Sequence, residues 1–237
     1  MGAASRLAEE TDALRPEGKA AFIYKPLRYA WSAHAEYIRR YAGGPKKVLL
    51  IGMNPGPWGM AQTGVPFGEI NAVSSWLGIL ADVGTPSREH PKKRVEGFSC
   101  RRSEVSGRRL WSFFASRYGQ AADFFQEHYV ANYCPLLFLD EQGRNLTPDK
   151  LPKSAKDTLF QICDDHLLQL IRVFEPAFVL GIGRFAEQRA RFVVDQLNPA
   201  DPLPMVDSIL HPSPANPKAN QGWAEHAEAK LQELGIW

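Results

Sequence analysis

Apolar and polar positions along this chain fall into two alternating patterns. Four short, nearly continuous apolar runs, Lys47–Ile51, His128–Cys134, Ala177–Leu180 and Met205–Leu210, read as strands with both faces buried. Between them, apolar residues recur at three- and four-residue spacing. That periodicity predicts helices over Ala72–Leu80 (Val73, Trp76, Leu77, Leu80), about Arg109–Arg117, Lys153–Phe174, Arg184–Leu197 and Trp223–Leu234. Residues 19–42, dense in aromatics and charges, predict one or two more helices, ended by Gly43-Gly44-Pro45. Strands alternating with helices predict an α/β fold: a single-domain α/β/α sandwich with a central four-stranded parallel sheet. No internal repeat, low-complexity tract or interdomain linker divides residues 1–237, and residues 1–20 are expected to form a flexible lead-in.

Composition narrows the class. A chain of 237 residues, 44% hydrophobic, can bury the core of one large α/β domain. No apolar run approaches the roughly 20 residues that span a bilayer, so no membrane partner is expected. The polar start MGAASRLAEETDALRPEG lacks an apolar signal core, which predicts an intracellular protein. Cys100, Cys134 and Cys163 show neither CxxC nor zinc spacing and read as reduced, mostly buried thiols. Charge is distributed unevenly. Between Arg88 and Arg109 eight basic residues, Arg101 and Arg102 among them, face three acidic ones, a net +5 in a chain whose total is +2. A basic segment on an otherwise slightly acidic chain suggests a polyanionic partner.

The densest signal is GMNPGPWGMAQTGVPFGE, residues 52–69, in which eight of eighteen residues are Gly or Pro. Such a stretch can be neither helix nor strand interior. It reads as a stiff loop after a buried strand, carrying Asn54, Gln62, Phe67 and Glu69. Open α/β folds place ligands at the carboxyl ends of their strands. Those ends hold Asn54, Asn132, Gly181-Ile182-Gly183 and His211, the last opening a second rigid motif, HPSPANPKANQGW. GIGRFA at 181–186 imitates a dinucleotide fingerprint, with Asp201 twenty residues on. Asp201 lies in a Pro-rich loop instead of ending a second strand, so close helix–strand packing explains these glycines better. No G-x-S-x-G elbow, zinc-deaminase signature or metal-ligand spacing of histidines is present, and neither metal nor cofactor is expected.

A neutral Asn, a second Asn, an aromatic ring and a His on one rim suit one chemistry well. Asn54 can orient a water. Asn132 can pair bidentately with a base edge, Phe67 offers a stacking face, and His211 can donate to an oxygen that becomes negative. Together these suit cleavage of a glycosidic bond in which the departing base takes the electrons.

The motifs GMNPGPWGMAQTGVPFGE, SEVSG (103–107), NYCPLLF (132–138) and HPSPANPKANQGW closely resemble the single-strand-selective monofunctional uracil-DNA glycosylases, in order from about Pro26 to Trp223. The resemblance implies a uracil-DNA glycosylase-like fold. It also implies excision of uracil and 5-modified uracils from single- and double-stranded DNA by a cofactor-free monomer. Asn54 would position the hydrolytic water and His211 stabilise the leaving anion. The backbone amide of Met53 would meet the base's O2, Phe67 would stack on it, and Asn132 would read N3–H and O4. Gly56, with Met60 nearby, would border the C5 edge. The loop from Pro212 to about Gln221 (Pro212, Ser213, Pro214, Ala215, Asn216) would wedge into the duplex. Independently of the resemblance, the basic segment Arg88–Arg109, with Arg101 and Arg102, is expected to contact DNA phosphates. Ala215 stands where some members carry a larger basic residue, and Trp58 replaces a common Phe, read as a packing change. Asn54 stands where better-known uracil glycosylases carry Asp, which predicts modest turnover. The competing readings are a catalytically weak binder of damaged or single-stranded DNA on the same fold and, on GIGRFA alone, a nucleotide-dependent oxidoreductase.

Overall fold

Val48, Leu49, Leu50 and Ile51 are all 0% exposed. Successive strand side chains point to opposite faces, so this strand is covered on both sides, as a central parallel strand must be. The structure, a computed structural model, describes residues 1–15, 17–200 and 202–237. In chain order its elements are α1 (Gly2–Asp12), β1 (Phe22–Tyr24), α2 (Trp31–Tyr41), β2 (Val48–Gly52), α3 (Val105–Tyr118), α4 (Ala121–Glu127), β3 (His128–Asn132), β4 (Leu137–Leu139), β5 (Asn145–Leu146), α5 (Lys153–Phe174), β6 (Phe178–Ile182), α6 (Arg184–Val194), β7 (Met205–Ile209) and α7 (Trp223–Glu233). Single helical turns lie at Pro26–Tyr29, just before α2, and at Met60–Thr63, within the long loop.

The main sheet is parallel, in the order β3-β2-β6-β7. The chain leaves β2 toward β3 on one side and β6 toward β7 on the other, so the crevice opens above the carboxyl ends of β2 and β6. The four predicted strands and the alternation of strand and helix are all present. α5 has the predicted limits, because Pro152 and Pro176 flank a continuous amphipathic stretch and Glu175 takes the left-handed capping conformation.

Three expectations are corrected. Residues 19–42 are not wholly helical: Phe22–Tyr24 pairs antiparallel with β4, and β4 pairs with β5, making a second, three-stranded sheet. The segment Ala72–Leu80 contains only a π-helical turn, Ala72–Trp76, because Leu77 and Ile79 bond back to Ala72 and Val73 and stop the helix. The first twenty residues are not a free lead-in. α1 buries Ala4, Leu7, Ala8 and Thr11, and Leu7 and Ala8 pack with Leu27 and Met60 beneath the long loop. The small sheet matters for function, since it carries Asn145 and the nearby Thr147 to the rim.

Candidate active site

Gly52 and Asn132 end their strands side by side, in register. A Cβ on Gly52 would strike both Asn132 Oδ1 and the Phe67 ring. The missing side chain is what lets the amide and the ring lie over the strand end. Above them is a cavity of about 360 Å³ whose wall includes Met53, Asn54, Gly56, Phe67, Asn132 and His211. Residues distant in sequence are thus brought together as the strand-end argument requires, and Ser213 joins them.

Each side chain is positioned by its local structure. Phe67 has a left-handed backbone (φ 51°), uncommon for an aromatic residue. Its carbonyl accepts from Trp111 Nε1 at 3.0 Å and from the Glu69 amide at 2.7 Å, which hold that conformation. Its ring centroid lies 6.1 Å from that of His211, tilted by 44°. Asn132 Nδ2 donates to the Met60 thioether at 3.2 Å, whereas Oδ1 is buried without a partner among the described residues. Asn54 Nδ2 donates to the carbonyls of Pro55 at 3.3 Å and Leu136 at 3.4 Å, which leaves Oδ1 as its open acceptor.

His211 directly follows Leu210 at the end of β7 and packs on Gly183, whose φ of +93° suits glycine. Burial holds its imidazole pKa down to about 4, so the ring is neutral at pH 7. Nδ1 accepts from the Ser213 amide at 3.1 Å, which puts the single ring proton on Nε2.

Some expected site residues lie elsewhere. Met60 does not line the cavity; it underlies Asn132 in the α1 cluster. Gln62 is structural: Nε2 donates to the carbonyls of Pro57 and Arg94, and Oε1 accepts from the Glu96 amide, so it bolts the loop to the basic segment. Pro212 is buried and anchors the second motif, whereas Pro214 and Ala215 are exposed at its tip, with Asn216 half-buried. That tip is a tight turn, in which Ser213 Oγ accepts from the Ala215 amide and Asn216 Oδ1 from that of Lys218. Arg101 and Arg102 are exposed. Trp58 is not simple packing: Lys93 and Arg102 each lie 4.6 Å from its ring centroid. Among the described residues no carboxylate pairs with Lys92, Lys93, Arg94, Arg101 or Arg102. Gly181 needs its hydrogen because a Cβ would strike the backbone of Glu187, so packing accounts for it; Asp201 lies outside the described residues.

Four further residues line the cavity: Glu104 and Ser106, which fall within SEVSG, and Asn145 and Thr147, which no sequence motif marks. Glu104 is the most consequential. Burial, and secondarily the neighbouring Glu69 charge, push its carboxyl pKa up to about 7. The cavity therefore has a carboxyl group, although position 54 does not supply it. SEVSG marks the segment without distinguishing which of its residues enters the site.

Comparison with known proteins identifies the family to which the chain belongs. A family model described as the uracil DNA glycosylase superfamily matches residues 41–234. The single-strand selective monofunctional uracil-DNA glycosylase of Rattus norvegicus is 49% identical over 98% of this chain and 82% of its own length. The corresponding Bos taurus protein is 47% identical over 98% of this chain and 84% of its own. The crystal structure of wild-type SMUG2 of Pedobacter heparinus superposes with a TM-score of 0.66 over 99% of this chain and 97% of that one. At 14% identity that likeness concerns the fold alone.

Proposed function

Since the chain belongs to the uracil-DNA glycosylase superfamily, in its single-strand-selective monofunctional family, we propose that it is a monofunctional DNA glycosylase. It hydrolyses the N-glycosidic bond of uracil and 5-modified uracils in single- and double-stranded DNA and leaves an abasic site. The observation that carries this reading is the orphaned Oδ1 of Asn132. A buried acceptor without a donor is costly, and the N3–H of uracil supplies the donor. Cytosine presents a lone pair at that position and leaves the cost in place.

The remaining groups take roles consistent with that pose. Phe67 stacks on the flipped base and the Met53 amide meets O2. As the C1′–N1 bond breaks, its electrons pass to the base. The neutral His211 donates from Nε2 to the anion that forms. Asn54 Oδ1 accepts a hydrogen bond from the water that adds to C1′, and that water releases its proton to solvent. Flipping a base costs a few kcal/mol, least in single strands. The unpaired cations beside Trp58 and the exposed tip at Pro214 and Ala215 help offset that cost by binding phosphates and occupying the vacated stack. The protein acts as a monomer on DNA inside the cell.

A single-turnover assay on a single-stranded oligonucleotide with one uracil, run in EDTA, tests the proposal. Strand cleavage at the uracil that appears only after alkali establishes a metal-independent monofunctional glycosylase. Salt-sensitive DNA binding without abasic sites would transfer the protein to the binding-module reading.

A further inference from the structure

A groove of about 580 Å³ adjoins the candidate active site. Two stretches of chain run from one to the other. Pro57 borders the cavity and Trp58 the groove; beside the β4–β5 turn, Asn145 borders the cavity and Arg144 the groove. The groove also takes in Lys92, Lys93, Arg94 and Arg102, against the single acid Glu96. Both walls are fixed from behind. The Lys93 carbonyl accepts from the Tyr24 hydroxyl at 2.7 Å, and the Arg94 carbonyl from Gln62 Nε2 at 2.9 Å. In the turn, Asp140 Oδ1 accepts from the Gln142 and Arg144 amides at 2.9 Å each. His90 Nε2 donates to the Glu141 carbonyl at 3.1 Å. Asp140 also pairs with the Arg144 guanidinium at 2.6 Å. Among the described residues no carboxylate pairs with the other four cations. Burial, and secondarily the Arg102 charge, lower the Lys93 ammonium pKa, so an anion beside both relieves a repulsion already present.

We propose that this groove is a strand-flank subsite: it holds the phosphates of the single strand on one side of the flipped nucleotide, so the substrate is gripped asymmetrically. This rests on the proposed function, in which the neighbouring cavity holds the uracil. A basic groove that opens directly into the base cavity receives the same strand as it leaves the flipped nucleotide, and its cations follow the backbone whatever the sequence. The other side of the cavity offers no equivalent. It is closed toward β7 by His211 and Ser213, and Pro214, Ala215 and Asn216 beyond them bring no charge. Because the groove walls are already set, little ordering cost offsets the phosphate contacts.

The test uses three single-stranded oligonucleotides of equal length, with uracil at the centre, next to the 5′ end or next to the 3′ end. Single-turnover rates are measured with enzyme below saturation. The wild type should process one end-placed substrate about tenfold more slowly than the other, as expected for losing charge-assisted phosphate contacts. In Lys93→Ala/Arg102→Ala the two end-placed substrates should agree within about twofold, because the missing flank and the missing cations remove the same contacts. Damage to folding lowers all rates together, so the ratio is the readout. A second measurement needs no variant. Uncharged methylphosphonate linkages in the favoured flank should slow the wild type on the central uracil about tenfold, and in the other flank less than about threefold. Equal wild-type rates on the two end-placed substrates, or an asymmetry undiminished in the folded double variant, would overturn the subsite and leave the function standing. Equal effects of methylphosphonates in either flank would overturn it as well. Failure of the wild type to produce abasic sites from the central uracil would instead remove the function.

Discussion

Arg109 on α3 donates from Nη1 to the Pro212 carbonyl at 3.1 Å, and from Nη2 to Asn220 Oδ1 at 2.9 Å. Asn220 in turn donates to the Pro214 carbonyl at 2.8 Å. One guanidinium thus ties the helix after Glu104 to both ends of the loop proposed to enter the duplex. Charged donors to backbone carbonyls are among the stronger hydrogen bonds. Arg109→Ala should lower single-turnover excision from duplex DNA about tenfold and from single strands less than about threefold. Equal losses on both substrates would mean that the tie serves the catalytic cavity and not the wedge.

His211 is held as a neutral Nε2–H ring. His211→Ala should slow single-turnover excision by about 10²–10³, the usual effect of losing one preorganised donor to a developing anion. Nitrogen NMR of the free protein at pH 7 should show a neutral ring protonated at Nε2. An imidazolium signal there would contradict the assigned tautomer.

Lys93 and Arg102 share the Trp58 ring without a carboxylate counter-ion among the described residues. If each meets one phosphate, replacing both by Ala should reduce the salt dependence of single-strand affinity by about 1.4 in log–log slope, two contacts at about 0.7 each. Lower affinity with an unchanged slope would show that neither cation contacts phosphate.

Stability should depend on pH in a direction that the buried imidazoles set. Burial holds His34, His128, His166 and His211 each down to about 4. Between pH 4 and about 6.5 the unfolded chain binds protons at these sites and the folded chain does not, so stability rises with pH across that window. Glu104, raised to about 7, works the other way: the folded chain keeps its proton above pH 4.5, and stability falls as pH climbs toward 7. The melting temperature should therefore rise from pH 4.5 to 6.5, and more steeply in Glu104→Gln. A flat or falling profile in the wild type over that range would contradict the imidazole assignment.

The strongly patterned parts of the fold were legible in the sequence. Val48–Ile51 and Val179–Leu180 are apolar on both faces, and α5 is a 22-residue helix whose prolines mark its ends. The second sheet was not, because its strands are two or three residues long and Phe22–Tyr24 sits in an aromatic stretch that also fits a helix. In the site, Asn54, Phe67, Asn132 and His211 could be found because each lies beside a strand end or in a Gly/Pro-dense motif. Glu104 could not. It comes 35 residues after the loop ends at Glu69, and an acid at a helix N-terminus ordinarily reads as a favourable partner for the helix dipole. Only the folded chain shows that it bypasses the helix and enters the space left by Gly56 and Gly59.

The left-handed Phe67 divides two kinds of fitness. Glycine or asparagine would occupy that backbone conformation with less strain, so a population of variants screened for heat resistance alone should accumulate Phe67→Gly or Phe67→Asn. Each such step would discard the ring proposed to receive the base. Lineages kept for repair of their own DNA should retain the aromatic residue there and stay less robust than their fold permits.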